Sequence, residues 1–173
     1  GAGRTDLSAL LAAGRVRKIV CSFPKTSGSV VFDKLYAAGK IELELVPQGT
    51  LSERMRAGGA GLGGFYTPTA VGTELAKGKE TRTLDGREYV LEKPIKGDFA
   101  LIKADRADRW GNLTYRLAAR NFGPTMAMAA TCTIVQAREV VELGGIDPDQ
   151  VITPGIFVDR VIAVPNPQPA GQQ

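Results

Sequence analysis

Ile41-Glu42-Leu43-Glu44-Leu45-Val46 decides the fold class. Apolar and acidic residues alternate strictly, so every second side chain turns to the same face, which is the period of a half-buried strand. Pro47-Gln48-Gly49 closes it. Thr50-Leu51-Ser52-Glu53 then reads as a capping box, with Thr50 capping a helix and Glu53 reaching back to it. That helix is predicted to run to about Ala57. Working backwards, Gly39 stops a helix over Val30 to Ala38, with Val31, Leu35 and Ala38 on one side. Residues 25 to 29 form a polar loop. Val16-Arg17-Lys18-Ile19-Val20-Cys21-Ser22-Phe23 is a β-branched strand closed by Pro24. Asp6 to Ala13 carries Leu7, Leu10 and Leu11 at helical spacing, and Gly14 is its stop. The order helix, strand, helix, strand, helix predicts an α/β fold with parallel pairing.

Beyond the helix the pattern changes. Gly58 to Thr73 is glycine-rich and irregular, followed by a turn of helix at Glu74-Leu75-Ala76-Lys77. Glu80 to Leu84 and Arg87 to Glu92 flank Asp85-Gly86, a strong hairpin signal. Asp98 to Ala104 is a strand with an apolar centre, and Asp108 to Asn112 a turn. A short helix lies within Asn121 to Ala130, and strands at Thr131 to Ala137 and Ile156 to Val164 enclose the turn-rich Gly144 to Gly155. One domain over residues 1–164 is expected, with no internal repeat, and residues 165–173 are expected to be disordered. The chain opens Gly1-Ala2-Gly3-Arg4 without methionine. A lone small helix feeding a buried strand reads as the middle of an α/β unit, so an initial piece is expected to be missing.

Composition narrows the chemistry. The 173 residues contain no histidine, which removes His-based triads, His general bases and His metal sites from this chain. Cys21 and Cys132 are too few and too far apart for a zinc site or a disulfide framework, and a reducing, cytoplasmic setting is expected. No apolar run approaches the ~20 residues that span a membrane. The net charge is +4, but the basic residues are interleaved with acidic ones, which argues against nucleic acid as a partner. An anionic small molecule needs only one local basic spot and stays open. Glycine is the outlier, 21 of 173 residues.

Much of that excess sits in one stretch, which includes Gly59-Ala60-Gly61-Leu62-Gly63-Gly64, a fit to G-x-G-x-x-G. The dinucleotide motif must follow a strand and open a helix. Here a helix precedes it, and Phe65-Tyr66-Thr67-Pro68-Thr69 follows, with Pro68 disfavouring helical geometry at Thr67. Six glycines within Gly58 to Thr73 still let backbone approach a ligand and offer N–H groups to an anion, with hydroxyls from Thr67, Thr69 and Thr73. A tight loop that only fills space is the alternative. Gln48 stands at the C-terminal end of a strand, the edge where α/β sheets bind ligands. Its amide could donate to a carbonyl or thioester oxygen, or could simply cap the turn. The carboxylates are scattered: Glu42 and Glu44 on a strand's solvent side, Glu53 in a cap, Glu80, Glu88 and Glu92 in the hairpin. Asp105, Asp108 and Asp147 read as turn residues, Asn121 as a cap and Arg120 as a surface charge. None is a placed nucleophile.

The segments Val16 to Pro24, Gly39 to Thr50, Ala57 to Gly61, Phe65 to Thr69, Asp98 to Ala104 and Ala119-Arg120-Asn121-Phe122 resemble, in order and through about Val164, the A subunits of family I CoA-transferases. Cys21 to Pro24, Arg109 to Tyr115 and Asn121 to Pro124 look most like the members that use 3-oxoadipate. Acetoacetate- and acetate-using members are the near alternatives. The resemblance implies an α/β fold, mainly parallel, shared with glucosamine-phosphate and ribose-phosphate isomerases. It implies a homologous B subunit in a hetero-oligomer, an acyl-CoA and a 3-oxo acid as substrates, and no cofactor beyond CoA itself. The family's catalytic glutamate lies in a Ser-Glu-Asn-Gly setting on the B subunit, and no such tetrapeptide occurs here. The family's opening strand and Gly-Gly-Phe loop are absent from the front of this sequence, and Gly63-Gly64 replaces a Pro-Ala often seen in relatives. On this reading no residue here is catalytic, and Gln48, Gly58, Gly59, Gly61, Thr67 and Thr69 line a substrate cleft. A sugar-phosphate isomerase-like enzyme, or a non-catalytic acyl-CoA or anion-binding subunit, are the other classes.

Overall fold

The computed structural model describes residues 7–24 and 30–164. The loop expected at 25–29, the opening tetrapeptide and the tail at 165–173 lie outside them. The described residues divide into two compact units, one built from residues 7–24, 30–51 and 69–78, the other from 52–68 and 79–164.

In the first unit, α1 (Leu7–Ala12), β1 (Lys18–Cys21), α2 (Val30–Ala37) and β2 (Glu42–Leu45) follow the predicted order. Gly14 and Gly39 end the two helices at φ +65°. Here a left-handed residue redirects the chain and glycine takes that conformation without a Cβ penalty. β1 and β2 pair in parallel, Lys18 beside Glu42 and Cys21 beside Leu45. Leu11, Phe32 and Ile41 are buried between helices and strands, with Val16, Ile19, Val31, Leu35 and Leu43 packed around them. Full burial of a side chain such as Phe32 contributes about 1.5–3 kcal/mol. On the solvent side Lys18 spans the two strand carboxylates, 2.9 Å from Glu42 and 2.8 Å from Glu44.

Helix α3 (Gln48–Gly59) starts in the first unit and continues in the second. It begins two residues earlier than the expected cap. The Leu51 N–H donates to the Pro47 carbonyl at 2.8 Å, so the helical ladder already opens at Pro47. Thr50 is therefore inside the helix and buried. Glu53 turns to Arg56 at 2.8 Å rather than back to Thr50, so no capping box forms.

The second unit holds two sheets. β3 (Phe65–Thr67), β4 (Thr81–Leu84) and β5 (Arg87–Glu92) make an antiparallel sheet in the order β3-β5-β4. Asp85 and Gly86 turn the β4–β5 pair with φ +48° and +76°, the two positive values a type I′ hairpin needs. β3 departs from expectation: the stretch that reads as irregular supplies a strand because β5 offers it a partner, Phe65 beside Glu92. The larger sheet runs β7 (Leu113–Thr114), β6 (Gly97–Asp108), β8 (Ala130–Val141), β9 (Arg160–Ala163), and α4 (Gly123–Ala129) packs on β6 and β8. Its parallel pairs are β6–β8 and β8–β9. Antiparallel pairing occurs at β6–β7. The expectation of a mainly parallel arrangement thus meets a mixed one, with three parallel and three antiparallel pairings among the described residues. The core joins Ala100, Ile102, Ala104 and Ala107 of β6, Val135 and Ala137 of β8, Leu113 and Ala127.

Three local expectations are corrected. Asp105 is a strand residue, its carboxylate held by Arg138 of the neighbouring strand at 2.7 Å. Asn121 caps nothing with its side chain: α4 has Phe122 as its N-cap residue and no side-chain cap bond. The last strand begins at Arg160, because Gly155–Phe157 forms a turn of 3-10 helix first.

Candidate functional site

Gln48 and Thr69 belong to the first unit, and Gly58, Gly59, Gly61 and Thr67 to the second. Gln48 is exposed as the first residue of α3. Its amide has no hydrogen-bond partner among the described residues, so it is not spent on capping the turn. A primary amide held at a helix start and facing solvent is a donor available to a carbonyl or carboxylate oxygen. Thr69 is exposed, and Thr67 is half-buried in β3.

The glycines divide by environment. A Cβ at Gly58 would lie 2.0 Å from the Ile95 carbonyl oxygen, and one at Gly59 2.5 Å from Met128 Cβ. Both let α3 end hard against neighbouring backbone, and the Ile95 N–H donates to the Arg54 carbonyl at 2.8 Å beside them. Gly61 differs: it turns the chain at φ +72° and meets nothing within 4 Å. Of the three, it is the one open to a ligand.

The strongest electrostatic feature of the second unit has no signature in the local sequence. Glu92, at the end of β5, is buried to 2% exposure, with Lys79 Nζ at 2.5 Å and Arg54 Nε at 3.9 Å. Two cations from distant segments compensate one buried carboxylate, and Arg54 Nε also donates to the Lys93 carbonyl at 2.8 Å. A carboxylate so neutralised is a tie, not a nucleophile. The alternation of β5 could have placed residue 92 inward, but its partners lie 13 and 38 positions away. Nearby, the Tyr66 hydroxyl donates to Glu80, while Arg82 reaches Glu80 at 3.0 Å and lies 5.0 Å from the Tyr66 ring centre. The hydrogen bond from Tyr66, with help from Arg82, holds the Glu80 carboxyl below its usual range. The same bond raises the Tyr66 phenol. In the first unit, burial pushes the Cys21 thiol up, away from the thiolate form that reacts.

The turn at Asp108 is built as its sequence suggested. Asp108 Oδ1 accepts from the Trp110 and Asn112 N–H groups at 2.9 and 3.0 Å. Oδ2 accepts from the Asn112 amide at 2.8 Å. Asp147 likewise accepts from the Asp149 N–H at 3.0 Å.

Taken one by one, these placements include an amide donor at Gln48, an open glycine turn at Gly61 and carboxylates at Glu80, Glu92 and Asp108 that are already engaged. The coenzyme A transferase family model matches residues 1–164, and the chain belongs to that family. Its relatives include proteins named as A subunits. It is 66% identical over 164 residues to the A subunit of 3-oxoadipate CoA-transferase from Pseudomonas putida, a match covering 95% of this chain and 71% of that one. It is 51% identical over 156 residues to the probable A subunit of succinyl-CoA:3-ketoacid coenzyme A transferase from Bacillus subtilis, covering 90% of this chain and 65% of that one. Among solved structures, glutaconate coenzyme A-transferase from Acidaminococcus fermentans superposes with a TM-score of 0.79 at 24% identity, over 92% of this chain and 58% of that one. That last likeness is one of fold. Among the described residues, no helix is long and apolar enough to cross a membrane.

Proposed function

We propose that this chain is the A subunit of a 3-oxoacid CoA-transferase that moves CoA from succinyl-CoA to 3-oxoadipate, working in the cytoplasm with a homologous B subunit and needing no cofactor besides its CoA substrate. The observation that carries this is the 66% identity to the Pseudomonas putida A subunit. The engaged state of the carboxylates described above supports placing the nucleophile on the partner. There a glutamate carboxylate attacks the thioester carbonyl of succinyl-CoA and expels the CoA thiolate, leaving an acyl–glutamyl anhydride. The thiolate attacks the glutamyl carbonyl, succinate leaves, and glutamyl-CoA remains. The carboxylate of 3-oxoadipate then attacks that thioester, and the returning thiolate takes its acyl carbon, which restores the glutamate. The fold kinship with sugar-phosphate isomerases belongs to the same reading.

In this scheme Gln48 donates its amide to an oxygen that gains charge near the partner's glutamate, and Gly61, Thr67 and Thr69 border the substrate cleft, while Gly58 and Gly59, held against Ile95 and Met128, support its wall from behind. A donor aimed at developing charge is worth about 2.7–4 kcal/mol. The test mixes the full-length chain with the B subunit and succinyl-CoA. Transfer should require both proteins, and borohydride should trap a thioester on a glutamate of the B subunit. In the same assay Gln48→Ala should lower kcat and kcat/KM together by about a hundredfold, with the melting temperature unchanged. Label on any glutamate of this chain would overturn the scheme.

A further inference from the structure

Glu92 is 2% exposed, and its charge is answered by Lys79 Nζ at 2.5 Å and Arg54 Nε at 3.9 Å. Charges taken out of water lose solvation that their attraction repays only in good geometry, and apolar residues of the same volume would fill such a space without that cost. Stability alone therefore does not account for the cluster. Arg54 lies in α3, Lys79 just before β4 and Glu92 at the end of β5, all within the second unit. The backbone after Glu92 is fixed to α3 at two further points. Arg54 Nε donates to the Lys93 carbonyl at 2.8 Å, and the Ile95 N–H donates to the Arg54 carbonyl at 2.8 Å.

Residues 92–95 form the wall on which both ends of the glycine turn lean. At the entry, a Cβ on Gly58 would fall 2.0 Å from the Ile95 carbonyl oxygen, and the Leu62 N–H closes the helix end on the Ala57 carbonyl at 2.9 Å. At the exit, a Cβ on Gly64 would fall 2.9 Å from the Glu92 carbonyl oxygen, and Phe65 is the register partner of Glu92. Between these contacts Gly61, Leu62 and Gly63 are exposed, and a Cβ on Gly61 or Gly63 would meet nothing within 4 Å. The span and direction of the open turn are thus set by where residues 92–95 sit against α3. The Glu92 carboxylate, tied to α3 through Arg54 and to the approach of β4 through Lys79, fixes that position.

We propose that Glu92 is a positioning residue for CoA transfer: through Arg54 and Lys79 it holds the turn at residues 61–64 in the shape that the substrate meets. This rests on the CoA-transferase reading, in which Gly61 borders the substrate cleft. Glu92 touches no substrate and acts through the turn. A displacement of about 1 Å in a group that orients a substrate lowers turnover by a factor of about 10², so a buried tie behind the turn has a kinetic consequence.

The complex of the full-length chain with its B subunit, given succinyl-CoA and 3-oxoadipate, tests this. Counted per folded molecule, Glu92→Gln should lower kcat/KM about 30-fold. Gly61→Val disturbs the same turn directly, so the double variant should fall little below the weaker single one. Losses that multiply instead make the two sites independent and overturn the proposal. Lys79→Met should cost about tenfold, and Lys79→Arg, which keeps the ion pair, less than about threefold. Equal losses in the two Lys79 variants overturn it as well. Hydrogen exchange of the full-length chain separates positioning from general loosening. Glu92→Gln should speed exchange at residues 61–68 and leave β6 and β8 at the wild-type rate. Uniform acceleration overturns the proposal. If Glu92→Gln does not fold, Lys79→Met, which leaves Arg54 beside the carboxylate, carries both comparisons. If the wild-type complex transfers no CoA, the transferase reading fails and the positioning role falls with it. Wild-type transfer together with any of the other adverse results overturns the positioning role alone.

Discussion

The glycine run at the end of α3 and the glycines of the Trp110 and Ile156 loops use the same residue for opposite ends. Gly58 and Gly59 lack a Cβ so that a helix end can press against Ile95 and Met128. Gly155 lacks one so that two loops can clasp, and the clasp leaves Trp110 and Ile156 outside. In the first region close approach hides backbone; in the second it displays side chains. Glycine content alone therefore does not mark a ligand loop. Among Gly58, Gly59 and Gly61, what a Cβ would meet separates the two packing glycines from the turning one.

The largest expected effects test that contrast directly. Gly58→Ala and Gly155→Ala both place a methyl group 2.0 Å from a carbonyl oxygen. Each should cost about 3 kcal/mol, the upper range for overpacking, measured by urea unfolding. Their consequences differ: Gly155→Ala should also disturb the Trp110 turn, read as a shift in the fluorescence of the chain's single tryptophan, and Gly58→Ala should not. Equal fluorescence shifts would erase the distinction between the regions.

Gly61→Val is expected to do less to stability. Its surroundings are open, so the cost is that of holding a β-branched residue at positive φ, roughly 1–2 kcal/mol. CoA transfer should fall further than that loss explains if the turn borders the cleft. Turnover that survives intact in the folded fraction makes Gly61 a turn residue and nothing more.

The smallest effect lies on the β6–β8 pair, outside both glycine regions. The hydrogen bond and charge of Arg138 hold the Asp105 carboxyl below its usual range. A group whose folded pKa is depressed binds fewer protons when folded, so its stabilisation is fully present above the unfolded value of about 3.9 and disappears as pH falls through the folded value. Asp105→Asn should flatten the acid limb of the stability curve below about pH 4 by removing a small stabilisation present at neutral pH, small because the partner arginine is half-exposed, and should leave stability at the acid end nearly unchanged. An equally steep acid limb in the variant would assign that limb to other carboxylates.

Short-range rules carried much of this chain. Period and stop residues placed α1, β1, α2 and β2, the Asp85-Gly86 pair placed the β4–β5 turn, and Asp108 was legible as a turn residue, because each depends on a few adjacent backbone angles. Gln48 and the glycine run could be named as candidates from their positions, but their environments could not. Tertiary structure alone decided that residues 65–67 are a strand, since an edge of β5 had to be present to receive them. It decided that Glu92 is buried, since Lys79 and Arg54 must arrive from other segments to compensate the charge. It also decided that Gly155 meets Trp110, a contact between residues far apart in sequence. The alternation, stops and turn pairs are encoded within a few residues and survive without a partner. Burial of a charge and contact between backbones acquire their free energy only when distant segments have already met, so no window of sequence contains them.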